Sequence, residues 1–363
     1  MREFNRDNPG WRRPENVKIF TPYGRSAPSS RVRVYSWVDH CKLEAEVVNY
    51  IGAPSHSAPV LLRRADRVIR AELSLRLGRP SRSGVTLVHR EISPLSRGRV
   101  ELRAIGCAPK SIYDFDDALQ WQDVRRHPVA RAMLPKGRKI EQVVAAVDRV
   151  IAGNEVLADW AAAFAADVRV IPSCVNVQEY ATKVDYEIMS PPRIVWMGSL
   201  STERFLLDIA KPLHELNRAM GLELWIVGHP LGDKRLAPLG GLVRRVPWTE
   251  ETQRTILATC DVGIMPLPEG SFERGKCAYK LLQYGASALP FVASPVGVNA
   301  TLLSDIGLPG PNTPGDWFHA IRELLAASRE ERRVLGERAQ RYVEERYSYR
   351  RWESEWLDAV TTW

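Results

Sequence analysis

The sequence predicts an α/β protein of two Rossmann-like domains with parallel sheets, and three features predict it. Short apolar runs alternate with stretches of helical spacing, the pattern that sets parallel strands beside crossover helices. The alternation breaks at a polar segment ending in Pro191 and Pro192, then restarts. The chain has 363 residues, against a usual domain size of about 100–200.

Val17–Thr21 reads as the first strand, ended by a loop with Pro22, Gly24 and Pro28. Val34, Trp37, Val38, Cys41 and Leu43 recur at helical spacing within residues 32–51. A second helical stretch, Val60–Leu77, precedes apolar runs at Val85–His89, Ser111–Asp117 and Val143–Ile151. Val168–Pro172 closes this half. After the linker come a strand at Arg193–Met197, a helix near Phe205–Ala219, a strand at Leu222–Val227 and a helix near Glu250–Thr259. Strand Val262–Pro266, helix Lys276–Ala286 and strand Phe291–Ala293 follow. The charged run Glu330–Trp356 predicts long helices, with Trp352 and Trp356 on one face for packing against a domain. The expected boundaries are a polar tail at 1–16, a first domain at 17–182 and a second at 190–346.

Composition narrows the function. Hydrophobic residues at 45% and charged residues at 26% describe a globular chain, not a disordered or fibrous one. No apolar run approaches the roughly 20 residues a membrane span needs. The N-terminal stretch MREFNRDNPGWRRPEN mixes both charges and lacks the apolar middle of a secretory signal, so a cytoplasmic setting is expected. Five scattered cysteines with no CxxC point to free thiols and offer no zinc framework. The charge is uneven: residues 1–180 hold 29 Lys/Arg against 20 Asp/Glu, and residues 181–363 hold 22 against 23. A basic first half attracts nucleic acid, anionic lipid or a phosphorylated substrate. Nucleic acid is disfavoured, because neither interleaved aromatics nor a helix-turn-helix accompanies the charge.

Within Val60–Leu77, Arg63, Arg64, Arg67, Arg70 and Arg76 stand among Leu61, Leu62, Val68, Ile69 and Leu73. One reading is an amphipathic core helix with a solvated basic face. The other is a peripheral contact with the inner face of a membrane.

The densest chemistry lies in Asp261–Asn299, DVGIMPLPEGSFERGKCAYKLLQYGASALPFVASPVGVN. Gly275 stands at the predicted helix start, where backbone N–H groups and the dipole favour an anion, and Arg274, Lys276 and Lys280 add positive charge. A diphosphate suits such a site. The run Gly270–Cys277 nearly matches a P-loop, but Cys277 replaces the magnesium-binding hydroxyl and the next strand ends without an acidic metal partner. In the first half, Asp114, Asp116 and Asp117 cluster in YDFDDAL, where like charges raising one another's pKa would leave an acid poised for proton transfer, and orienting hydroxyls or capping the next helix are equal readings. His89 ends another strand, and a satisfied structural histidine is the simpler reading.

Taken together, MGSLSTER, ERGK (Glu273–Lys276), KLLQY (Lys280–Tyr284), LPFVASPVGVN (Leu289–Asn299), YDFDDAL, VIAGNEVLADWA and VIPSCVNVQEY resemble retaining GT-B glycosyltransferases of family 4, in a bacterial subgroup. The resemblance covers most of residues 17–356. It implies two Rossmann-like domains with parallel sheets facing a cleft and a final helix, about 347–363, crossing back to the first. A nucleotide-sugar donor would sit in the second domain and a hydroxyl acceptor in the first. The acceptor would be a glycan, a lipid-linked glycan or a small secondary metabolite. UDP is favoured over GDP on family frequency. No cofactor or required metal is implied, and helix N–H groups with Arg/Lys would neutralise the departing diphosphate. Two rival readings are a GT-B-fold epimerase and a non-catalytic binder of nucleotide-sugar or anionic lipid.

Position by position, the resemblance places donor contacts at Gly198, Ser199, Arg204, Arg274, Gly275, Lys276, Cys277 and Lys280. Arg204 stands where the family usually has a lysine on the diphosphate, and Ser199 stands where it has an arginine. The family's paired glutamates fall on Gly275 and Gln283, so Glu273 is the candidate for the first role. Gln283 would serve the nucleoside with Gly228 and Trp248. Asp116 and Asp117 occupy the family's His-Asp positions as the candidate catalytic pair with Glu273. Gly24, Ser30, Arg31, His89 and Asp114 complete the acceptor side.

Overall fold

The computed structural model describes residues 16–78, 83–121 and 136–363. The polar tail read at 1–16 lies, except for Asn16, outside the described residues. The chain forms two compact units. One runs to Ile171 and takes in Glu353–Trp363; the other is Pro172–Trp352.

The first unit holds a six-stranded sheet of β1 (Val17–Thr21), β2 (Ala45–Asn49), β3 (Val85–His89), β4 (Lys110–Phe115), β5 (Arg149–Ala152) and β6 (Val168–Val170). Their order is β2-β1-β3-β4-β5-β6, parallel throughout. β3, β4 and β5 are almost wholly buried, which explains their continuous apolar runs. The second unit holds β7 (Arg193–Met197), β8 (Glu223–Gly228), β9 (Val243–Pro247), β10 (Val262–Met265) and β11 (Phe291–Ala293), in the parallel order β11-β10-β7-β8-β9. Two apolar layers flank this sheet, one centred on Leu281, Leu282 and Tyr284 and the other on Leu213, Leu216 and Trp317.

Each sheet reverses its winding once. In the first unit the reversal lies between β1 and β3, and in the second between β7 and β10. In open α/β sheets the loops leaving the carboxyl ends of such a pair form the ligand site.

Several elements depart from the sequence reading. β2 and β9 were not expected. Both are edge strands carrying charge, Glu46 in one and Arg244 with Arg245 in the other, and neither shows an apolar run. The helical stretch Val60–Leu77 is two helices, Ala58–Arg63 and Ala65–Leu77, meeting at Arg64. The helix predicted from Lys276 begins only at Tyr279, because Ala278 takes a left-handed conformation (φ 52°). Gly275 instead ends a short helix, Ser271–Arg274. The helix Tyr349–Thr361 contributes residues to both units. Its Trp356 is buried in the first unit, stacked on Trp37 at 5.1 Å and 3°. Trp352 is only half-buried and donates its indole N–H to the Arg346 carbonyl (2.7 Å).

Candidate functional site

In the second unit the pairing of β7 with β8 brings Gly198, after β7, beside Gly228 at the end of β8. The Gly198 N–H donates to the Val227 carbonyl (3.0 Å). A Cβ at Gly228 would lie 2.8 Å from the Gly198 carbonyl oxygen, and one at Gly198 would lie 2.8 Å from Lys280 Cε and 2.7 Å from the Trp196 ring. Both positions therefore need glycine for close approach. The Lys280 ammonium sits over the Trp196 ring, 5.2 Å from its centre. Gly198, Gly228 and Lys280, far apart in sequence, thus meet at one place.

The KLLQY helix (Tyr279–Ala286) divides its side chains among three tasks. Lys280 reaches Gly198. The buried Gln283 donates to the Tyr180 hydroxyl (3.1 Å). The Tyr284 hydroxyl receives the Met197 N–H (3.2 Å) and donates to the Ile264 carbonyl (3.0 Å), bolting the helix to β7 and β10.

The loop between β10 and this helix is built by the ASPVGVN run. Ser294 Oγ accepts the Leu267 N–H (2.9 Å), and buried Asn299 donates to the Ser294 carbonyl (3.0 Å). Gly297 has φ 57°, and a Cβ there would lie 2.4 Å from the Arg274 carbonyl oxygen. The P-loop likeness dissolves here, because Ser271–Arg274 is helical and the amides of Arg274 and Lys276 bond the carbonyls of Gly270 and Glu273. Lys276 rests over the Phe272 ring (4.7 Å), while Arg274 turns outward to pair with Glu269. Glu273 and Cys277 are buried. Arg204 starts a 3₁₀ segment, Arg204–Ile209, and lies over the Phe205 ring (5.1 Å). Ser199, the residue before the helix Leu200–Glu203, is exposed.

Trp248 follows β9, and its N–H donates to the Gly228 carbonyl (3.0 Å). Its indole donates to Gln253 (3.1 Å), and Gln253 donates to the Tyr180 hydroxyl (3.0 Å). Tyr180 therefore joins the two nucleoside candidates, Trp248 and Gln283, through one oxygen. Sequence reasoning quoted its segment but missed its role. It also missed buried Glu203, which accepts the Asp233 N–H (2.8 Å), pairs with Arg245 (3.2 Å) and so braces the loop after β8.

In the first unit the reversal point is filled by paired charge. His89 and Asp114 are register partners on β3 and β4. His89 Nδ1 bonds Asp114 (2.7 Å), and Arg33 forms a two-point pair with the same carboxylate (3.2 and 2.5 Å). Burial raises the Asp114 pKa, but the Arg33 charge and the His89 hydrogen bond prevail and hold it below its ordinary value. His89 Nε2 meets Ser29 Oγ at 2.7 Å. When the neutral imidazole donates Nδ1–H to Asp114, Nε2 must accept from Ser29. The Ser29 oxygen then keeps its lone pairs for a hydroxyl donor. Ser29, partly exposed, was missed; its neighbour Ser30 is buried, bonded to Thr21 Oγ1 (2.5 Å) and to the Tyr23 N–H (3.3 Å). Gly24 packs on Gly52, with a notional Cβ 3.3 Å from that residue's carbonyl oxygen, and Arg31 opens a π-helical turn, Arg31–Tyr35.

Asp116 and Asp117 share one cation. Arg90, at φ 60°, bridges them at 2.6 and 2.8 Å. Burial raises the Asp116 pKa, yet the Arg90 charge outweighs it and the carboxyl is held below its ordinary range. The expectation of a raised pKa is thus corrected at Asp116. Glu91, also missed, is held at about 2: burial pushes it up, and Lys139 and Lys136, at 3.1 and 2.9 Å, pull it further down. Among the described residues, no group of three His, Cys, Asp or Glu is placed to hold a metal ion.

Residues 191–327, within the second unit, match the family model for glycosyl transferases group 1. No curated protein sequence matches the chain. Solved structures do match in fold. WaaG, a glycosyltransferase involved in lipopolysaccharide biosynthesis, is 12% identical with a TM-score of 0.67, covering 96% of this chain and 100% of that one. Sucrose-phosphate synthase from Thermosynechococcus elongatus gives 12% identity and a TM-score of 0.66 over 94% of this chain and 97% of that one. HepE from Anabaena, solved with UDP-glucose, gives 12% and 0.64 over 95% and 100%. The chain has the GT-B fold, and its second unit carries the group 1 glycosyl transferase match.

Proposed function

We propose that this chain is a retaining glycosyltransferase that moves a hexosyl-type sugar from a nucleoside-diphosphate donor to a hydroxyl acceptor. The observation that carries the reading is the meeting of Gly198, Gly228 and Lys280 at the carboxyl end of β7, a strand of the winding reversal in the unit with the group 1 match. Bare backbone beside a lysine is what a diphosphate needs: close approach and countercharge. Lys276 and Arg204 add charge on the same unit, and on this reading no metal is required. Trp248, Gln283 and the Tyr180 link serve the nucleoside. UDP is favoured, since the similar HepE structure contains UDP-glucose, with GDP as second candidate.

In the first unit, Ser29, oriented by His89, contacts the acceptor hydroxyl. Asp116 and Asp117, both paired with Arg90, position the acceptor; the leaving phosphate takes the proton. The acceptor is a glycan, a lipid-linked glycan or a small molecule, and the setting is cytoplasmic. No helix among the described residues is long and apolar enough to cross a membrane.

Thermal-shift titration with UDP, GDP, ADP, TDP and their common sugars tests the donor. A shift specific to one nucleotide supports the site and selects the base. No shift with any of them refutes the donor reading. A shift without turnover would instead favour a non-catalytic binder, and an altered nucleotide-sugar formed without acceptor would favour an epimerase.

A further inference from the structure

The helices Ala58–Arg63 and Ala65–Leu77 have two apolar faces. Val60, Leu61, Val68, Ala71 and Leu75 turn inward onto Tyr50, Ile51 and Ala53. That packing alone accounts for an amphipathic helix. Yet Leu62, Ile69, Leu73 and Leu77 point outward, 76%, 60%, 53% and 76% exposed. Ile69, Leu73 and Leu77, four residues apart, share one side of the second helix, and Leu62 is exposed on the first. Arginines flank this stripe. Arg70 and Arg76 are tied to Asp66 and Glu72 one turn away, whereas Arg63 and Arg67 have no ion pair among the described residues. Arg103 adds another guanidinium at the far end, bonded to the carbonyls of Arg76 and Gly78.

We infer that the outward face of Ala58–Leu77 is a docking surface for an anionic phospholipid membrane. A solvated polar face would carry none of these four side chains. The stripe is convex, on a helix surface, so it offers no groove for a peptide; a fluid bilayer interface needs only apolar side chains to insert and cations to meet phosphate. The excess positive charge of the first half, 29 Lys/Arg against 20 Asp/Glu, has the matching sign. Such docking would hold the first unit at a lipid-linked acceptor. The surface itself stands apart from the donor reading, because vesicle binding is measured without nucleotide.

The test is co-sedimentation of the full chain with vesicles of equimolar phosphatidylglycerol and phosphatidylcholine, against phosphatidylcholine alone. Binding is expected to the anionic vesicles only and to weaken with salt. Ile69→Glu with Leu73→Glu should lose binding at least about tenfold with an unchanged melting temperature, since both side chains already face water. Arg63→Gln and Arg67→Gln should each weaken it about fivefold. Absence of binding at low salt overturns the inference. So does binding that survives the double glutamate variant, which would reduce the effect to charge alone. A dimer of the wild type that the double variant splits would assign the face to a second copy and equally overturn it.

Discussion

The two winding reversals hold their charges in opposite ways. In the first unit every central charge meets its opposite: Arg33 with Asp114, Arg90 with Asp116 and Asp117, Glu91 with Lys136 and Lys139. In the second unit three of the four cations expected at a diphosphate lie over aromatic rings, Lys280 on Trp196, Lys276 on Phe272 and Arg204 on Phe205. A ring fixes a cation's position without cancelling its charge. Arg274 is the exception, paired with Glu269 and turned to solvent. One reversal point is therefore neutralised and rigid, suited to orienting neutral hydroxyls. The other sets cations over rings beside bare glycine backbone, an arrangement suited to a polyanion.

The largest effect should come from breaking the neutral cluster. Asp114→Ala takes the buried carboxylate away from Arg33, which is itself wholly buried and also bonds the Ile171 carbonyl (2.7 Å). Removing one partner of a buried pair costs about 3–5 kcal/mol. A matching loss in denaturant unfolding is expected, with Asp114→Asn less severe. A loss under about 1 kcal/mol would show that water enters the cluster and that it is not the rigid element described.

Removing a cation seated on a ring should do the reverse. Lys280→Ala should leave the melting temperature nearly unchanged and weaken nucleoside-diphosphate binding by roughly 10- to 100-fold, the worth of one charge-assisted contact. Isothermal titration against UDP and uridine separates the terms. Uridine affinity should hold, and an equal loss for both would move Lys280 away from the phosphates.

Much of this contrast was legible in the sequence, but unevenly. The glycines after apolar strands and the lysines around the KLLQY helix marked the second site, because backbone approach and helical position are local properties. The neutral state of the first site was not legible. Asp116 and Asp117 read as mutual repulsion since they are adjacent, whereas Arg90 lies on the loop of another strand, brought close only by parallel pairing of β3 and β4. Ser29 and Tyr180 were missed for the same reason, their partners His89 and Gln283 lying 60 and 103 residues away. β2 and β9 escaped because charged edge strands lack the apolar run that identifies central ones.

A pH titration sharpens the rigidity of the first unit. His56 packs between Tyr23 and Tyr50, with ring centres 4.7 and 5.2 Å away. Burial pushes its pKa from 6.5 down to about 4. The unfolded chain thus binds the proton first, and stability should fall as pH drops from about 6.5 towards 4. The shift bounds the loss at about 3 kcal/mol, less for the part of the ring that water reaches. Thermal melts of wild type and His56→Phe should differ in slope across this range, the wild type falling and the variant staying flatter; parallel slopes would place the titration elsewhere. Glu91, with its pKa held at about 2, contributes stability that is complete above its unfolded pKa and is lost only below about pH 4.5.

The smallest effect separates two meanings of the Tyr180 link. Its oxygen accepts from Gln253 (3.0 Å) and Gln283 (3.1 Å), and Gln253 in turn accepts from Trp248 (3.1 Å). Tyr180→Phe removes the shared acceptor and keeps the ring in the core. If the link only stiffens the unit, stability should fall by about 1 kcal/mol and nucleotide affinity should not move. If it orients Trp248 and Gln283 towards a nucleoside, affinity for UDP should also fall a few-fold, while affinity for inorganic diphosphate stays put. Because Lys280→Ala is expected to show the opposite ligand preference, the two variants measured together assign the ring-seated cation to phosphate and the amide pair to base and ribose. Identical preferences in both would mean that the second reversal point works as one undivided site.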